Sequence, residues 1–420
     1  MRILLLHLNY APEIISAGAI NTDLAQGLVR RGHEVTMICA NPYYPQWRTW
    51  PGYRGLKWTR EKEHGVEVVR CPIYVPHNPT GLRRIIHYLS FLFSAFFPLV
   101  RAALTRKPQF TIVIAPTIMC APLGWLSARV AGGRSWLHVQ DFEVGAAAAT
   151  GLLKGWISLE RIANAFERLM VRVCSHASSI SPEMCGRLER LGVAPDRLYE
   201  LRNWSDLSRI TPLEGDSPFR VEWKIGAPHV ALYSGNVANK QGIEIVVEAA
   251  RRLRHRKELM FVVCGEGPNR ANLERFAGDL DNIQFHDLQP IERLRDLVGL
   301  ATIHLLPQKG SAADLLLPSK LTNMLASGRP IVATAAQGTG LAREVKGCGL
   351  VCEPDNADAF AVAIETLLDS PEMRASFGKA ARSRAETRWD RDAILDRFVE
   401  RLEGLSTPAR TPAMINVAGE

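Results

Sequence analysis

The chain has 420 residues, 47% of them hydrophobic and 22% charged, with a formal net charge of +8. One hydrophobic core rarely serves more than about 250–300 residues, so this length predicts two domains. The basic charge suits a nucleic acid, an anionic membrane or a phosphorylated substrate, but the absence of a zinc finger or an aromatic-rich basic module argues against nucleic acid.

The eight cysteines are scattered, and several lie in apolar runs, as Cys39 and Cys264 do. No two pairs have the spacing of a zinc site, so free thiols in a reducing compartment are predicted. The first residues, MRILLLHLNYAPE, contain an apolar stretch of about six residues and no small-residue cleavage site. They predict a β-strand and not a signal peptide.

The first half of the chain alternates apolar runs with amphipathic segments. In chain order it begins with a strand, a loop, a helix and a second strand: RILLLHL, NYAPEIISAG, AINTDLAQGLVRRG and HEVTMICA. The helix carries Ile20, Leu24 and Leu28 on one face. Later strands are predicted at VEVVRCPI, FTIVIAP and SWLHVQ. Because these runs are continuous, they are typical of strands buried on both faces of a parallel sheet.

One segment of this half, RRIIHYLSFLFSAFFPLVRAAL (residues 83–104), is unusually apolar. Residues 85–100 contain no Asp, Glu, Lys or Arg, and arginines lie on both sides. The run is shorter than the about twenty residues that a membrane span needs. Two interpretations stay open: an interfacial helix on a membrane with basic flanks, or a core helix packed on the sheet.

The second half repeats the strand–helix pattern. Its strands are predicted at HVALYSGN, LMFVVCGEG, NIQFHD, ATIHLLP, IVATA and GLVCEP, with helices between them. This alternation predicts a second doubly wound α/β domain. The boundary falls near the polar, turn-rich residues 203–220. The predicted organisation is an N-terminal domain at 1–205, a C-terminal domain at 206–375, a final helix at 376–403 and a disordered tail at 404–420.

Three loops follow strands of the second sheet, where α/β folds bind their ligands. Gly235 and Gly242 flank Lys240 in YSGNVANKQG, and Glu266 lies between two glycines in CGEGP. LPSKLTN places a serine and a lysine at the predicted start of a helix, a pattern typical of an anion site. Each loop taken alone also fits a plain turn or helix cap. Their occurrence together favours a diphosphate and its nucleoside.

These loops carry a family resemblance. YSGNVANKQGIEIVVEAA, CGEGPNRANLE and LPSKLTNMLASGRPIVATA, together with RRGHEVTMICANPYYPQW and LRNWSD, resemble a retaining family 4 glycosyltransferase of the GT-B fold. YAPEIISAGAINTDLAQGL resembles the enzymes of colanic-acid and related exopolysaccharide synthesis. The resemblance, from Met1 to about Val399, implies two Rossmann-like domains facing a cleft. It also implies that the C-terminal domain holds the nucleotide sugar and that the final helix crosses back to the N-terminal domain.

The resemblance implies a role for each loop. Lys240 lies near the diphosphate-binding lysine of the family, and Ser319 and Lys320 lie where a loop meets the distal phosphate. Residues 265–267 correspond to the nucleoside loop, and Gly18 to the loop beside the transferred sugar. No metal and no cofactor are expected. The predicted donor-binding residues are Gly18, Gly235, Asn236, Lys240, Gly265, Glu266, Gly267, Ser319, Lys320 and Asn323.

The chain departs from the family pattern at three places. Asn236 replaces an arginine that often follows the first glycine, and Leu315 and Asn323 replace two acidic residues spaced eight apart. The family histidine that often precedes an aspartate corresponds to Gln140.

The catalytic candidates are therefore Asp141, which follows the strand SWLHVQ, and His138 within that strand. An acid at Asp141 suits orienting an acceptor hydroxyl or supporting positive charge on the sugar. It also suits a helix N-cap, and that alternative stays open.

The predicted function is a metal-independent transfer, with retention, from a nucleotide sugar to a polyprenyl-diphosphate-linked saccharide in exopolysaccharide synthesis. The subgroup suggests GDP-fucose as the donor. The predicted location is cytoplasmic, peripheral on the inner face of the cytoplasmic membrane, whose anionic lipids attract a basic protein. Two other hypotheses are kept: a nucleotide-sugar epimerase of the GT-B fold, and a nucleotide-sugar-binding protein without catalysis.

Overall fold

The computed structural model describes residues 1–13, 17–53, 55–142, 157–238, 241–310 and 317–406. The chain forms two compact units. The first contains Met1–Ser178, Leu188–Leu201 and Asp392–Glu420, and the second contains Ser179–Arg187 and Arg202–Arg391. The chain thus leaves the first unit, builds almost all of the second, and returns to the first.

The first unit is built on an eight-stranded sheet of order β3-β4-β2-β1-β5-β6-β7-β8. Strands β4, β2, β1, β5 and β6 run parallel, and β3 pairs antiparallel with β4 at the edge. Its strands are β1 (Arg2–Leu6), β2 (Glu34–Ala40), β3 (Thr59–Glu63), β4 (Val66–Cys71), β5 (Phe110–Ala115), β6 (Arg134–Val139), β7 (His176–Ser179) and β8 (Leu198–Glu200).

The apolar runs of the sequence form the centre of this sheet. All residues of β5 are buried, as are nearly all of β1, β2 and β6. Among the described residues, five α-helices lie between β1 and β8 along the chain: α1 (Ala17–Arg30), α2 (Gly81–Arg106), α3 (Ala121–Ala131), α4 (Ile157–Val173) and α5 (Pro182–Arg190).

Helix α2 contains the apolar segment of residues 83–104 and has two different faces. Phe91, Ala95 and Leu99 are fully buried in the first unit. Phe93 and Phe97, on the other face, are 66% and 68% exposed. By length and composition α2 is the one described helix that could cross a membrane, which is weak evidence by itself. One face of α2 is therefore core, whereas the other is open, and the membrane interpretation stays a prediction.

The second unit is built on a six-stranded parallel sheet of order β11-β10-β9-β12-β13-β14. Its strands are β9 (His229–Ser234), β10 (Leu259–Cys264), β11 (Ile283–His286), β12 (Ile303–Leu306), β13 (Ile331–Thr334) and β14 (Gly349–Cys352). Its helices are α6 (Phe219–Glu222), α7 (Glu244–Arg252), α8 (Arg270–Ala277), α9 (Leu294–Gly299), α10 (Lys320–Ala326), α11 (Gly340–Val345), α12 (Ala357–Asp369) and α13 (Pro371–Arg384).

Apolar side chains from both faces of this sheet form the core of the second unit. Phe261 and Val263 of β10 pack in one cluster with Val246 of α7 and Phe360 of α12. On the other face, Leu325 of α10 packs with residues of β13, α11 and α13. Because the strands are parallel, their carboxyl ends and the loops after them lie along one edge.

The last described helix, α14 (Arg391–Ser406), belongs to the first unit from Asp392 onward. Phe398 is fully buried, and its ring lies 5.4 Å from that of Trp136 in β6. Arg31, the residue after α1, forms ion pairs with Asp392 and Asp396, at 3.2 and 2.6 Å. The prediction of a disordered tail from residue 404 is wrong for 404–406, which continue the helix, and its remainder lies outside the described residues.

Candidate functional site

Two glycine loops lie side by side at the carboxyl ends of β9 and β10. Cys264 is in register with Ser234, and the Gly235 amide donates to the Cys264 carbonyl oxygen at 2.9 Å. A Cβ atom added to Gly265 would overlap the Gly235 carbonyl oxygen. The two main chains can therefore pass at this distance only where the side chain is absent.

The loops stay together beyond this crossing. The Val237 amide donates to the Glu266 carbonyl oxygen at 2.8 Å, and the Asn269 amide donates to the Val237 carbonyl oxygen at 3.1 Å. A Cβ atom at Gly267 would overlap that same Val237 oxygen. The Glu266 side chain is exposed. The two loops thus form one main-chain platform with a carboxylate at its surface.

Lys320, the first residue of α10, reaches this platform. Its Nζ atom is buried and has no hydrogen-bond partner in the part of the chain that the structure describes. It lies 3.9 Å from the centre of the Tyr233 ring, and its Cδ lies 3.5 Å from the position of a Cβ atom at Gly235. Burial lowers the pKa of the ammonium from 10.5 to about 7. A cation that has no hydrogen-bond partner among the described residues and lies beside a glycine loop is suited to an anionic ligand.

The other two predicted residues of this segment differ in their environment. Ser319 is exposed and occupies the N-cap of α10, but its side chain makes no cap hydrogen bond. The Asn323 amide oxygen accepts a hydrogen bond from Ser205 Oγ at 2.8 Å, so it already serves the fold. Helix α10 has only seven residues. The positive charge here comes from Lys320 and not from a long helix dipole.

The loop after β9 is described only in part. Lys240 lies outside the described residues, and the Asn236 side chain is exposed. Beyond Gly242, helix α7 begins at Glu244, an acid whose Oε1 accepts from Asn269 Nδ2 at 2.8 Å. Sequence reasoning missed Tyr233, whose hydroxyl donates to the Asn236 carbonyl oxygen at 2.7 Å.

In the first unit, Gly18 lies in the first turn of α1, against Glu13. A Cβ atom at Gly18 would overlap the Glu13 carbonyl oxygen. Glu13 Oε1 accepts from the amides of Tyr43 and Tyr44, both at 2.7 Å, and burial raises the pKa of this carboxyl group. Sequence reasoning missed Glu13, although an acid in the loop preceding Gly18 was a usable signal. The first turn of α1 therefore packs directly against the main chain of this buried acid.

The two catalytic candidates occupy different environments. His138 is 2% exposed within β6, and its Nδ1 lies 2.9 Å from Ser178 Oγ. Burial, assisted by the nearby His7, lowers the pKa of His138 to about 3, so the ring stays neutral at working pH. Asp141 lies two residues beyond the carboxyl end of β6 and is half-buried. Of the two residues, only Asp141 is placed at the edge where ligands bind.

Comparisons with known proteins bear on both units. The family described as "Glycosyl transferases group 1" matches residues 218–384. The family described as "Glycosyl transferase 4-like domain" matches residues 17–204. The two matches together cover both glycine loops and all the strands described above except β1.

A curated relative aligns with almost the whole chain. It is the putative colanic acid biosynthesis glycosyl transferase WcaI of Escherichia coli (strain K12), 37% identical over 415 residues, which are 96% of this chain and 100% of the relative. The α-D-kanosaminyltransferase of Streptomyces kanamyceticus is 30% identical over 149 residues, 34% of this chain and 38% of that protein.

Solved structures share the fold at low identity. Sucrose-phosphate synthase from Thermosynechococcus elongatus has a TM-score of 0.74 at 17% identity, covering 96% of this chain and 98% of its own. Anabaena Alr3699/HepE in complex with UDP-glucose has a TM-score of 0.68 at 14% identity, covering 96% and 100%. The fold prediction of two Rossmann-like domains is confirmed. With a full-length relative at 37% identity, the chain belongs to the group 1 glycosyltransferases of the GT-B fold and is an enzyme that transfers sugars.

Proposed function

We propose that this glycosyltransferase moves a sugar from a nucleotide-sugar donor to a polyprenyl-diphosphate-linked saccharide during exopolysaccharide synthesis. The observation that carries the proposal is Lys320, a buried ammonium without a hydrogen-bond partner among the described residues, set against the Gly235 loop. The relative named for colanic acid biosynthesis supports the pathway class. UDP-glucose bound to a protein of the same fold supports a nucleotide-sugar donor.

On the donor side, the diphosphate lies against Lys320 and the exposed Ser319 hydroxyl. As the glycosidic bond to the diphosphate breaks, negative charge grows on the leaving phosphate, and a fixed cation stabilises it. Lys320 supplies this charge without a metal ion. The platform of Gly265 and Gly267 leaves room for the nucleoside, with Glu266 available to a ribose hydroxyl. We take GDP-fucose as the first donor to test.

On the acceptor side, Asp141 is the residue that we assign to the chemistry. Its position beyond β6 suits a carboxylate that orients an acceptor hydroxyl or supports positive charge on the sugar. We assign His138 a positioning role instead, because its ring is buried within β6 and hydrogen-bonded to Ser178, and its lowered pKa leaves little imidazolium at neutral pH. Retention is proposed from the family resemblance, with attack on the same face as the leaving phosphate.

We propose that α2 attaches the enzyme to the inner face of the cytoplasmic membrane. Its buried face, with Phe91 and Leu99, fixes it to the sheet, while Phe93 and Phe97 are exposed. Exposed apolar patches of this kind are uncommon on soluble monomers. Arginines 83, 84 and 101 are exposed near both ends of this face and suit contact with lipid phosphates. A lipid-linked acceptor would then lie close to the enzyme.

The test is a transfer assay with membranes and a panel of nucleotide sugars that includes GDP-fucose and UDP-glucose. The expected result is sugar label in the lipid fraction, unaffected by EDTA. Lys320→Ala should reduce transfer at least about tenfold, the loss of one charge-assisted contact. Lys346→Ala, at an exposed lysine, is the matched control. Asp141→Asn should keep donor affinity and lose turnover.

Other outcomes would contradict parts of the proposal. Donor turnover without acceptor would indicate an epimerase, and binding without any transfer would indicate a non-catalytic protein. Activity lost in EDTA and restored by manganese or magnesium would overturn metal independence.

A further inference from the structure

The Lys320 ammonium, at the start of α10, is buried without a hydrogen-bond partner among the described residues. An ammonium has three donors, and none is used within the described residues. Burying unmet donors on a charged group is costly. The ring of Tyr233 offers attraction from one side only. In the free protein, the charged form of this lysine is therefore weakly supported.

Tyr233 is held rigidly beneath the lysine. Its backbone is part of β9, its side chain is fully buried, and its hydroxyl donates to the Asn236 carbonyl oxygen at 2.7 Å. Burial raises the pKa of the phenol, so it stays neutral and remains a donor. The ring thus fixes the height of the Lys320 ammonium relative to the glycine loop.

Among the described residues, charged side chains near α11 and α13 form hydrogen bonds or ion pairs with groups other than Lys320. From α13, Arg382 donates to the Ala326 carbonyl oxygen at the opposite end of α10 and pairs with Glu386 at 2.7 Å. Arg388 pairs with Glu344 of α11 at 3.1 Å. Among the described residues of β9 and the loop after it, which do not include 239 and 240, those against Lys320 are the uncharged Tyr233 and Gly235. Burial of the ammonium lowers the pKa of Lys320.

We propose that Tyr233 is the positioning residue for Lys320, and that this lysine takes up one proton from solvent when a nucleotide sugar binds. The inference rests on the proposed donor site. The bound diphosphate would accept hydrogen bonds from the ammonium and stabilise its charge, while the Tyr233 ring keeps the nitrogen at the phosphate.

The proposal has a definite pH dependence. With a pKa of about 7 in the free protein, the binding-competent fraction is nearly complete below pH 6 and falls above pH 7. The apparent dissociation constant varies as the inverse of that fraction. Donor affinity should therefore be constant at acid pH, drop about five-fold between pH 7 and pH 8, and approach a tenfold loss per further pH unit.

The test is titration calorimetry of the full chain with UDP-glucose and GDP-fucose, whose diphosphate diesters do not titrate near pH 7. At pH 8, two buffers of different ionisation enthalpy report the protons taken up, and we expect about one per donor bound. Lys320→Met should bind weakly, with no proton uptake. Tyr233→Phe keeps the ring and should keep the uptake, whereas Tyr233→Leu should lose at least about tenfold in affinity even at pH 6.5.

The outcomes distinguish the proton coupling and the role of Tyr233 from the donor site itself. If either nucleotide sugar binds with no proton uptake and equal affinity at pH 6.5 and pH 8, proton coupling is overturned while the donor site stands. If Tyr233→Leu binds as the unaltered protein does, the positioning role is overturned. Should Tyr233→Leu fail to fold, the comparison of the unaltered protein with Lys320→Met decides the proton coupling. Tyr233→Phe then tests the positioning role, which is overturned if this variant, with its ring kept, loses the proton uptake. If neither nucleotide sugar binds, the proposed donor site is wrong.

Discussion

At Gly265 a single hydrogen atom occupies the space that any other residue would need for Cβ. The neighbouring atom is the Gly235 carbonyl oxygen, a main-chain atom that cannot rotate away. Gly265→Ala should destabilise the second unit by about 1–3 kcal/mol, the usual cost of forced overpacking, and should weaken nucleoside diphosphate binding because the platform must move. Denaturant unfolding and calorimetry with UDP and GDP measure the two effects.

Gly226→Ala is the matched control for this substitution. A Cβ atom there has nothing within 4 Å, so stability should change by less than about 0.5 kcal/mol. Equal effects of the two substitutions would show that the close crossing of the loops has no special cost.

The residues of the site were predictable to different degrees. Glycines that follow strands indicate a close approach of the main chain to a ligand, and this pattern located both loops. The burial of Lys320 Nζ was not predictable, because it depends on the Tyr233 ring lying beneath the nitrogen. That contact between β9 and α10 forms only once the strands of the second sheet have paired. His138 was assigned to catalysis from its place near Asp141, but a strand alternates its faces, and the ring points to Ser178.

At the scale of elements, α2 contributes one face to the core and a second, exposed face to the proposed membrane binding. Replacing Phe93, Phe96 and Phe97 with serine should move the protein from the membrane fraction to the soluble fraction and leave it folded. The reason is that these side chains are exposed, while the core face of α2 is unchanged. Sedimentation with vesicles containing anionic lipid, together with circular dichroism, measures both properties.

The control for this experiment removes three exposed apolar side chains elsewhere. Phe276, Val221 and Val362 are exposed in the second unit, and their replacement with serine should leave membrane binding unchanged. If the unaltered protein never sediments with vesicles, or if the triple phenylalanine variant unfolds, the attachment role of α2 is wrong.

Elements with strong apolar patterns were predicted, and those without were missed. The central strands of both sheets follow from continuous apolar runs. Strand β3, with the sequence TREKE, is charged and largely exposed, so no hydrophobic pattern marks it. It forms because its backbone pairs with β4 at the sheet edge. Strand β8 has three residues and no apolar alternation to detect.

At the scale of the whole molecule, α14 completes the core of the first unit although it follows the second unit in sequence. Phe398→Ala should cost about 3–5 kcal/mol, because the ring packs on Trp136 and Tyr199 without exposure to solvent. Hydrogen exchange should accelerate in β6 and β8, and change little in the second sheet.

Phe360→Ala is the corresponding variant in the second unit, where Phe360 is also fully buried. Hydrogen exchange in this variant should accelerate around β9 and β10, since these strands belong to the same core cluster as Phe360. If both variants accelerate exchange equally in both sheets, the units do not unfold separately.

The return of α14 to the first unit has a consequence for biosynthesis. Translation delivers β1 to β8 first, then about 190 residues of the second unit, and only afterwards Phe398 and its neighbours. At about 5–20 residues per second, the nascent first unit waits roughly 10–40 s with the surface around Trp136 uncovered. During that interval the second unit can fold independently, while the first exposes an apolar surface that a ribosome-associated chaperone would recognise.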